Sequence, residues 1–118
     1  MLATLGHTDT IIIADCGLPI PKEIPCIDVS LKLGTPSFIS VLELIVEEIE
    51  IEKLTLANEI KTDNSKLHVK LTKDYRTVPT EYISHEELKG QIKDVKAVIR
   101  TGEATPFANA ILHAGVIF

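Results

Sequence analysis

Residues 10 to 14, Thr-Ile-Ile-Ile-Ala, are β-branched or apolar without interruption, and Asp15, Cys16 and Gly17 close the run at once. A run this short and this apolar predicts a strand buried on both faces, the kind found where helices cover a sheet from either side. Pro19, Pro21 and Pro25 then deny the next stretch a helix, because each lacks an N–H and restrains the residue before it. The expectation is an ordered loop, then an extended segment from Cys26 to Leu31. Thr35 and Pro36 read as an N-cap followed by proline at the first helical position. Phe38, Ile39, Leu42, Ile45, Val46 and Ile49 follow at helical spacing, with Glu43, Glu47, Glu48 and Glu50 on the solvated side.

Further along, Glu52 to Ala57 predicts a second buried strand. Glu59 to about Tyr75 predicts helical content interrupted by the turn-prone Thr62-Asp63-Asn64-Ser65. Glu81 to Ile83 is short and strand-like, and Ser84 with Glu87 forms a capping box that puts His85 in the first turn of a helix. Lys96 to Arg100 predicts another strand, residues 101 to 106 a polar connection, and Ala110 to Phe118 is apolar throughout. Strands alternating with helices make this an α/β chain with a central sheet covered by helices. At 118 residues it has room for one such domain.

Composition excludes several functions. Lys and Arg number 12 against 17 Asp and Glu, a net charge of −5, so nothing electrostatic favours nucleic acid or an anionic membrane as partner. Aromatic residues are only 4%, too few for a base-stacking platform. No apolar stretch approaches the roughly 20 residues that span a bilayer, and the start MLATLGHTDT has no signal-peptide pattern, so a soluble cytoplasmic protein is expected. Cys16 and Cys26 lack metal-site or disulfide spacing and are read as reduced, small apolar side chains. There is no HExxH, GxSxG or Gly-rich phosphate loop.

Ligands of α/β sheets gather outside the carboxyl ends of strands. By that rule Asp15 and His85 are the first candidates, with Arg100 and Glu103 behind them. His7 precedes its strand, beside Gly6, and on position alone is an ordinary loop histidine. Asp15 before Gly17 is equally suited to a turn, and His85 to a capped first turn. His68 reads as solvated and His113 as core.

These segments closely resemble the D-ribose pyranase family, whose relatives include the L-fucose mutarotases. The match runs through LGHTDTIIIADCGLPIP at residues 5 to 21, Ile27-Asp28, Gly34 to Phe38, Ala57 to Lys61, Ser84 to Glu87, Ala97 to Glu103 and Thr105 to Asn109. The resemblance implies a single three-layer α/β domain over residues 1–118 that interconverts pyranose and furanose forms of D-ribose. Such an isomerase is cytoplasmic, supplies the sugar for phosphorylation, and needs no metal or organic cofactor. By the same resemblance His7 is the proton donor, and Asp15, His85, Phe107, Ala108 and Asn109 bind the sugar. It also implies a homo-oligomeric ring, commonly a decamer, with sites between subunits.

Opening a hemiacetal ring requires a proton onto the ring oxygen and loss of one from the anomeric hydroxyl, transfers suited to His and Asp near neutral pH. Two departures from the family pattern stand out. Phe107 occupies a position where members usually carry tyrosine, and members begin with a short segment ahead of LGHTD, whereas Met1 lies only a few residues before His7. The alternatives are a mutarotase of another monosaccharide, such as fucose, and a non-catalytic sugar-binding ring subunit.

Overall fold

A computed structural model of the chain describes Gly6 and residues 9–115, so His7 lies outside the described residues. The predicted first strand is β1, Thr10–Ala14, with Ile11 to Ala14 all buried. Its side chains alternate: Ile11 and Ile13 enter one core, Ile12 and Ala14 the other. That alternation fixes the layering, because both cores need a cover.

The remaining elements are β2 (Cys26–Asp28), α1 (Phe38–Glu48), β3 (Ile51–Ala57), α2 (Ile60–Asp63), α3 (Ser65–Asp74), β4 (Thr80–Ile83), α4 (His85–Gln91), β5 (Ala97–Arg100) and β6 (Ala110–Ala114). A short 3-10 turn, Ile92–Asp94, extends α4. The strands form one six-stranded sheet in the order β2-β5-β1-β6-β3-β4. β6 runs antiparallel to both β1 and β3, while the β1/β5, β2/β5 and β3/β4 pairs are parallel. Strands β1 to β5 therefore all point one way, and their carboxyl ends share one edge with the start of β6.

Helix α1 lays Phe38, Val41, Leu42 and Ile45 onto the face carrying Ile11, Ile13, Leu54 and Leu112, joined by Ile60 and Leu71 from α2 and α3. Each such side chain contributes about 2 kcal/mol relative to its exposed state. Leu88, Ile92 and Val95 cover the opposite face over Ile12, Ala57, Val98 and Ile111. The result is the expected three-layer α/β arrangement, with helices on both sides of the sheet.

Local details depart from expectation in three places. The cap of α1 is Ser37 rather than Thr35, and Ser37 Oγ accepts from the Ser40 N–H at 3.2 Å. Thr35 instead belongs to a turn: its carbonyl accepts the N–H groups of Leu31 and Lys32, and its own N–H goes to the Lys32 carbonyl. His68 is half-buried rather than solvated, with Nε2 2.7 Å from the Tyr82 hydroxyl. His113 is half-buried rather than core, with Nε2 2.8 Å from Thr55 Oγ1. Burial lowers the His113 pKa from 6.5, and the Lys53 ammonium acts in the same direction. Among the described residues no helix is long and apolar enough to cross a membrane.

Candidate functional site

Because β1 and β6 are antiparallel neighbours, the residue leaving β1 meets the residue entering β6. Asp15 and Asn109 are that pair. The Asp15 N–H donates to Asn109 Oδ1 at 2.8 Å, and Asn109 Nδ2 donates to Asp15 Oδ2 at 3.3 Å. Asp15 Oδ1 accepts the Gly17 N–H at 3.0 Å. Asn109 is wholly buried, and its amide orients the carboxylate from behind. Burial raises the Asp15 carboxyl above its ordinary pKa, an effect opposed by hydrogen bonds from Gly17, Asn109 and Leu18.

The loop after β1 is clamped by the end of β5. Thr101 Oγ1 donates to the Ala14 carbonyl at 2.7 Å, the Cys16 N–H donates to the Glu103 carbonyl at 2.9 Å, and Arg100 Nη1 donates to the Cys16 carbonyl at 2.8 Å. The Glu103 carboxylate is occupied elsewhere: Oε1 accepts the Phe38 N–H at the start of α1, and Oε2 accepts the Thr105 hydroxyl. Arg100 and Glu103, second-rank candidates from sequence, thus shape the loop around Asp15.

His85 follows β4 by two residues and opens α4. Ser84 Oγ accepts the Glu87 N–H at 3.1 Å and donates to Glu87 Oε1 at 3.2 Å, which fixes the first turn. The imidazole packs edge-to-face on Phe107, with ring centroids 5.0 Å apart and an interplanar angle of 80°. Phe107 itself adopts φ 56°, unusual for a bulky residue and a mark of local strain at a loop that lines the site. His85 Nδ1 is buried and has no hydrogen-bond partner among the described residues. A proton there would be a buried donor without an acceptor, so the geometry favours the tautomer that carries it on Nε2.

Asp15, Cys16, Leu18, His85, Glu103 and Phe107 are among the residues that line one open cleft of about 250 Å3. That volume lies below the usual range for drug-sized ligands, about 300–1,000 Å3, and suits a small polar molecule. Of the residues singled out from sequence, the structure thus brings Asp15, His85 and Phe107 to one surface. Asn109 sits directly behind Asp15. Ala108 is wholly buried and packs with the α1 core. Sequence reasoning missed Glu59, whose two carboxylate oxygens each lie 3.1 Å from the His85 backbone nitrogen. Its place just after β3 was the available signal, by the same rule that singled out Asp15. Among the described residues no group of three or more His, Cys, Asp or Glu side chains is placed to hold a metal ion.

Comparison with known proteins agrees with this architecture. Residues 1–117 match the model of the RbsD / FucU transport protein family. The chain is 54% identical over its whole length to a D-ribose pyranase of Bacillus cytotoxicus, covering 90% of that protein. It is 55% identical to a D-ribose pyranase of Geobacillus kaustophilus, again over the whole chain and 87% of that relative. The structure of Bacillus subtilis RbsD complexed with D-ribose matches 99% of this chain and 89% of its own, at 51% identity and a TM-score of 0.96. A fucose mutarotase from Streptococcus pneumoniae, solved with L-fucose, shares the fold at a TM-score of 0.83 with 22% identity. A family match along nearly the full chain, with relatives more than half identical in sequence, establishes that this chain belongs to the RbsD / FucU transport protein family.

Proposed function

We propose that this protein is a D-ribose pyranase, an isomerase that interconverts the pyranose and furanose forms of D-ribose by opening and reclosing the hemiacetal ring. The observation that carries the reading is the convergence of the Asp15 carboxylate and the His85 imidazole on one small cleft. That cleft belongs to a chain 54% identical to a D-ribose pyranase. Asp15 accepts hydrogen bonds from sugar hydroxyls, held in orientation by Asn109. His85 donates through Nε2 to a sugar oxygen, and the Phe107 ring packs against the carbon face. Ala108 fills the core beneath that segment and so fixes where Phe107 emerges.

His7 supplies the proton to the ring oxygen as the anomeric hydroxyl passes its own to an accepting base, and closure of the ring returns both protons. The ring then opens to the aldehyde, and closure through a different hydroxyl changes ring size. The balance of protons is zero, so neither a redox partner nor a group donor is needed. The protein acts in the cytoplasm on sugar awaiting phosphorylation.

Exchange NMR on D-ribose at equilibrium tests this directly. The protein is expected to speed exchange between pyranose and furanose anomeric signals, and His7→Gln to lower that rate by about 10²- to 10⁴-fold, the usual worth of a positioned general acid. Full activity in His7→Gln would remove His7 from the mechanism. Absence of exchange for ribose and then for fucose would favour a non-catalytic binding protein. One observation supports a second substrate: Phe107 lacks the phenolic hydroxyl of a tyrosine, and with it a donor and acceptor facing the cleft. Faster exchange with fucose than with ribose would assign the protein to that sugar.

The working form is a homo-oligomeric ring, a decamer with its sites between subunits. Leu31 and Leu33, 83% and 78% exposed, support an assembly, since apolar side chains this open on one loop are costly in an isolated chain. Light scattering on the eluting protein should give a mass several times that of one chain, and Leu31→Asp with Leu33→Asp should shift it toward smaller species. A wild-type monomer would overturn the ring.

A further inference from the structure

Of the hydrogen-bonding side chains that reach the cleft walls from outside the cleft, two come from the ends of α2. Glu59, just before the helix, receives the backbone N–H of His85 between its two carboxylate oxygens, each at 3.1 Å. Asn64, just after it, donates from Nδ2 to Thr105 Oγ1 at 3.0 Å and to the Pro106 carbonyl at 2.8 Å. The first bond fixes the start of α4 and so the origin of the imidazole. The second fixes the backbone immediately before Phe107, at the residue pair leading into its left-handed conformation. Between them Ile60 is wholly buried in the core under the sheet, which keeps α2 from sliding.

We propose that Glu59 and Asn64 are positioning residues that use α2 as a rigid bracket to set how the His85 imidazole meets the Phe107 ring across the cleft. The bracket holds two segments that share no strand pairing, the β4–α4 junction and the β5–β6 connection. The other bonds of the β5–β6 connection hold its two ends, at Gly102, Glu103 and Asn109, so without the bracket the Thr105–Pro106 stretch before Phe107 would lose its tie to α2, and the edge-to-face contact at 5.0 Å would loosen. Neither residue lines the cleft, so both act through the groups they hold. The inference rests on the reading that His85 and Phe107 face the sugar.

Glu59→Ala and Asn64→Ala should each raise KM for D-ribose about three- to tenfold while kcat changes less, as expected when one backbone hydrogen bond orients a binding group. Glu59→Gln keeps one acceptor oxygen and should restore KM to within about twofold of wild type. The second readout is NMR of the His85 ring protons, which the Phe107 ring current displaces in the wild type. They should move toward unperturbed positions in both alanine variants and return in Glu59→Gln. Unchanged KM and unchanged ring-proton shifts in the alanine variants would overturn the bracket. So would equal rises in KM with equal falls in melting temperature in Glu59→Ala and Glu59→Gln, which would reduce Glu59 to a fold-stabilising role. Should the wild-type protein show no exchange on ribose, the functional reading fails, and the ring-proton shifts alone still decide for or against the bracket.

Discussion

Asn109→Asp is expected to destabilise the protein at neutral pH, to leave it near wild type in mild acid, and to raise KM for the sugar at least about tenfold. The substitution keeps the shape of the side chain. Its Oδ1 still accepts the Asp15 N–H, but an oxygen replaces the nitrogen that donates to Asp15 Oδ2 across 3.3 Å. Two carboxylates this close, in a site already drawn out of water, cannot both ionise, so they titrate as a pair with one proton retained.

The sign of the pH dependence follows. Burial already puts the Asp15 carboxyl above its ordinary value of 3.8, and a second carboxylate pushes it further. Between 3.8 and the raised value the folded state binds more protons than the unfolded one. Stability is therefore fullest below the ordinary value and falls as pH rises through the raised one. Losing a buried hydrogen bond to a charged group and gaining a repulsion is worth about 2–4 kcal/mol at pH 7, or about 10 °C in Tm. Thermal melts at pH 7 and pH 4 check it, with Asn109→Ala as the control: it removes the bond to the Asp15 carboxylate without adding a repulsion, so its loss should grow from pH 4 to pH 7 by less than that of Asn109→Asp. A drop in Asn109→Asp that is equal at both pH values would show that packing and not charge is responsible. In the wild type the same shift places the acid limb of kcat/KM above the ordinary aspartate range, because protonation removes Asp15 as an acceptor.

Gly102→Ala should be the more damaging to stability. A Cβ at this position would lie 2.3 Å from the Thr35 carbonyl oxygen and 2.6 Å from the Lys32 carbonyl oxygen. Both are backbone atoms of the turn between β2 and α1, tied down by Gly102 itself, whose N–H donates to the Pro36 carbonyl at 2.9 Å. No rotamer change relieves a backbone collision, so either the turn or the end of β5 must move. A loss of about 3 kcal/mol or more is expected, lowering Tm by about 10–15 °C. Gly90, on the exposed side of α4 with nothing near its would-be Cβ, makes the comparison: Gly90→Ala should be neutral or slightly stabilising. An unperturbed melt for Gly102→Ala would mean that the turn is far softer than its hydrogen bonds indicate.

Much of the fold was legible because its signals are local. β1 begins and ends where its apolar run does, and the Ser84–Glu87 cap stands where its spacing put it. The cap of α1 was misplaced by two residues because Thr35 and Ser37 are both good caps. What decides between them is the turn that claims the Thr35 carbonyl for the N–H groups of Leu31 and Lys32. His68 and His113 were misjudged for a related reason. Their partners, Tyr82 and Thr55, lie on strands whose adjacency the sequence does not announce.

At the site, Asp15 and His85 could be found from their places after strands. The Asp15–Asn109 couple could not be found from spacing, since its members are 94 residues apart and meet only because β6 enters beside β1. Glu59 could have been noticed from its place after β3, but its partner could not, nor could Asn64's: both bond mainly to backbone groups, and a backbone N–H or carbonyl leaves no trace in residue identity.

The position of β6 has a consequence for how the protein is made. It is the last strand among the described residues and sits between β1 and β3 in the sheet. Until it is inserted, β2, β5 and β1 form one fragment and β3 and β4 another, each with an unpaired edge where β6 belongs. A nascent chain emerging from the ribosome therefore cannot close its sheet as it lengthens. The edges of β1 and β3 stay open until β6 emerges, and they must be kept from foreign strands until then.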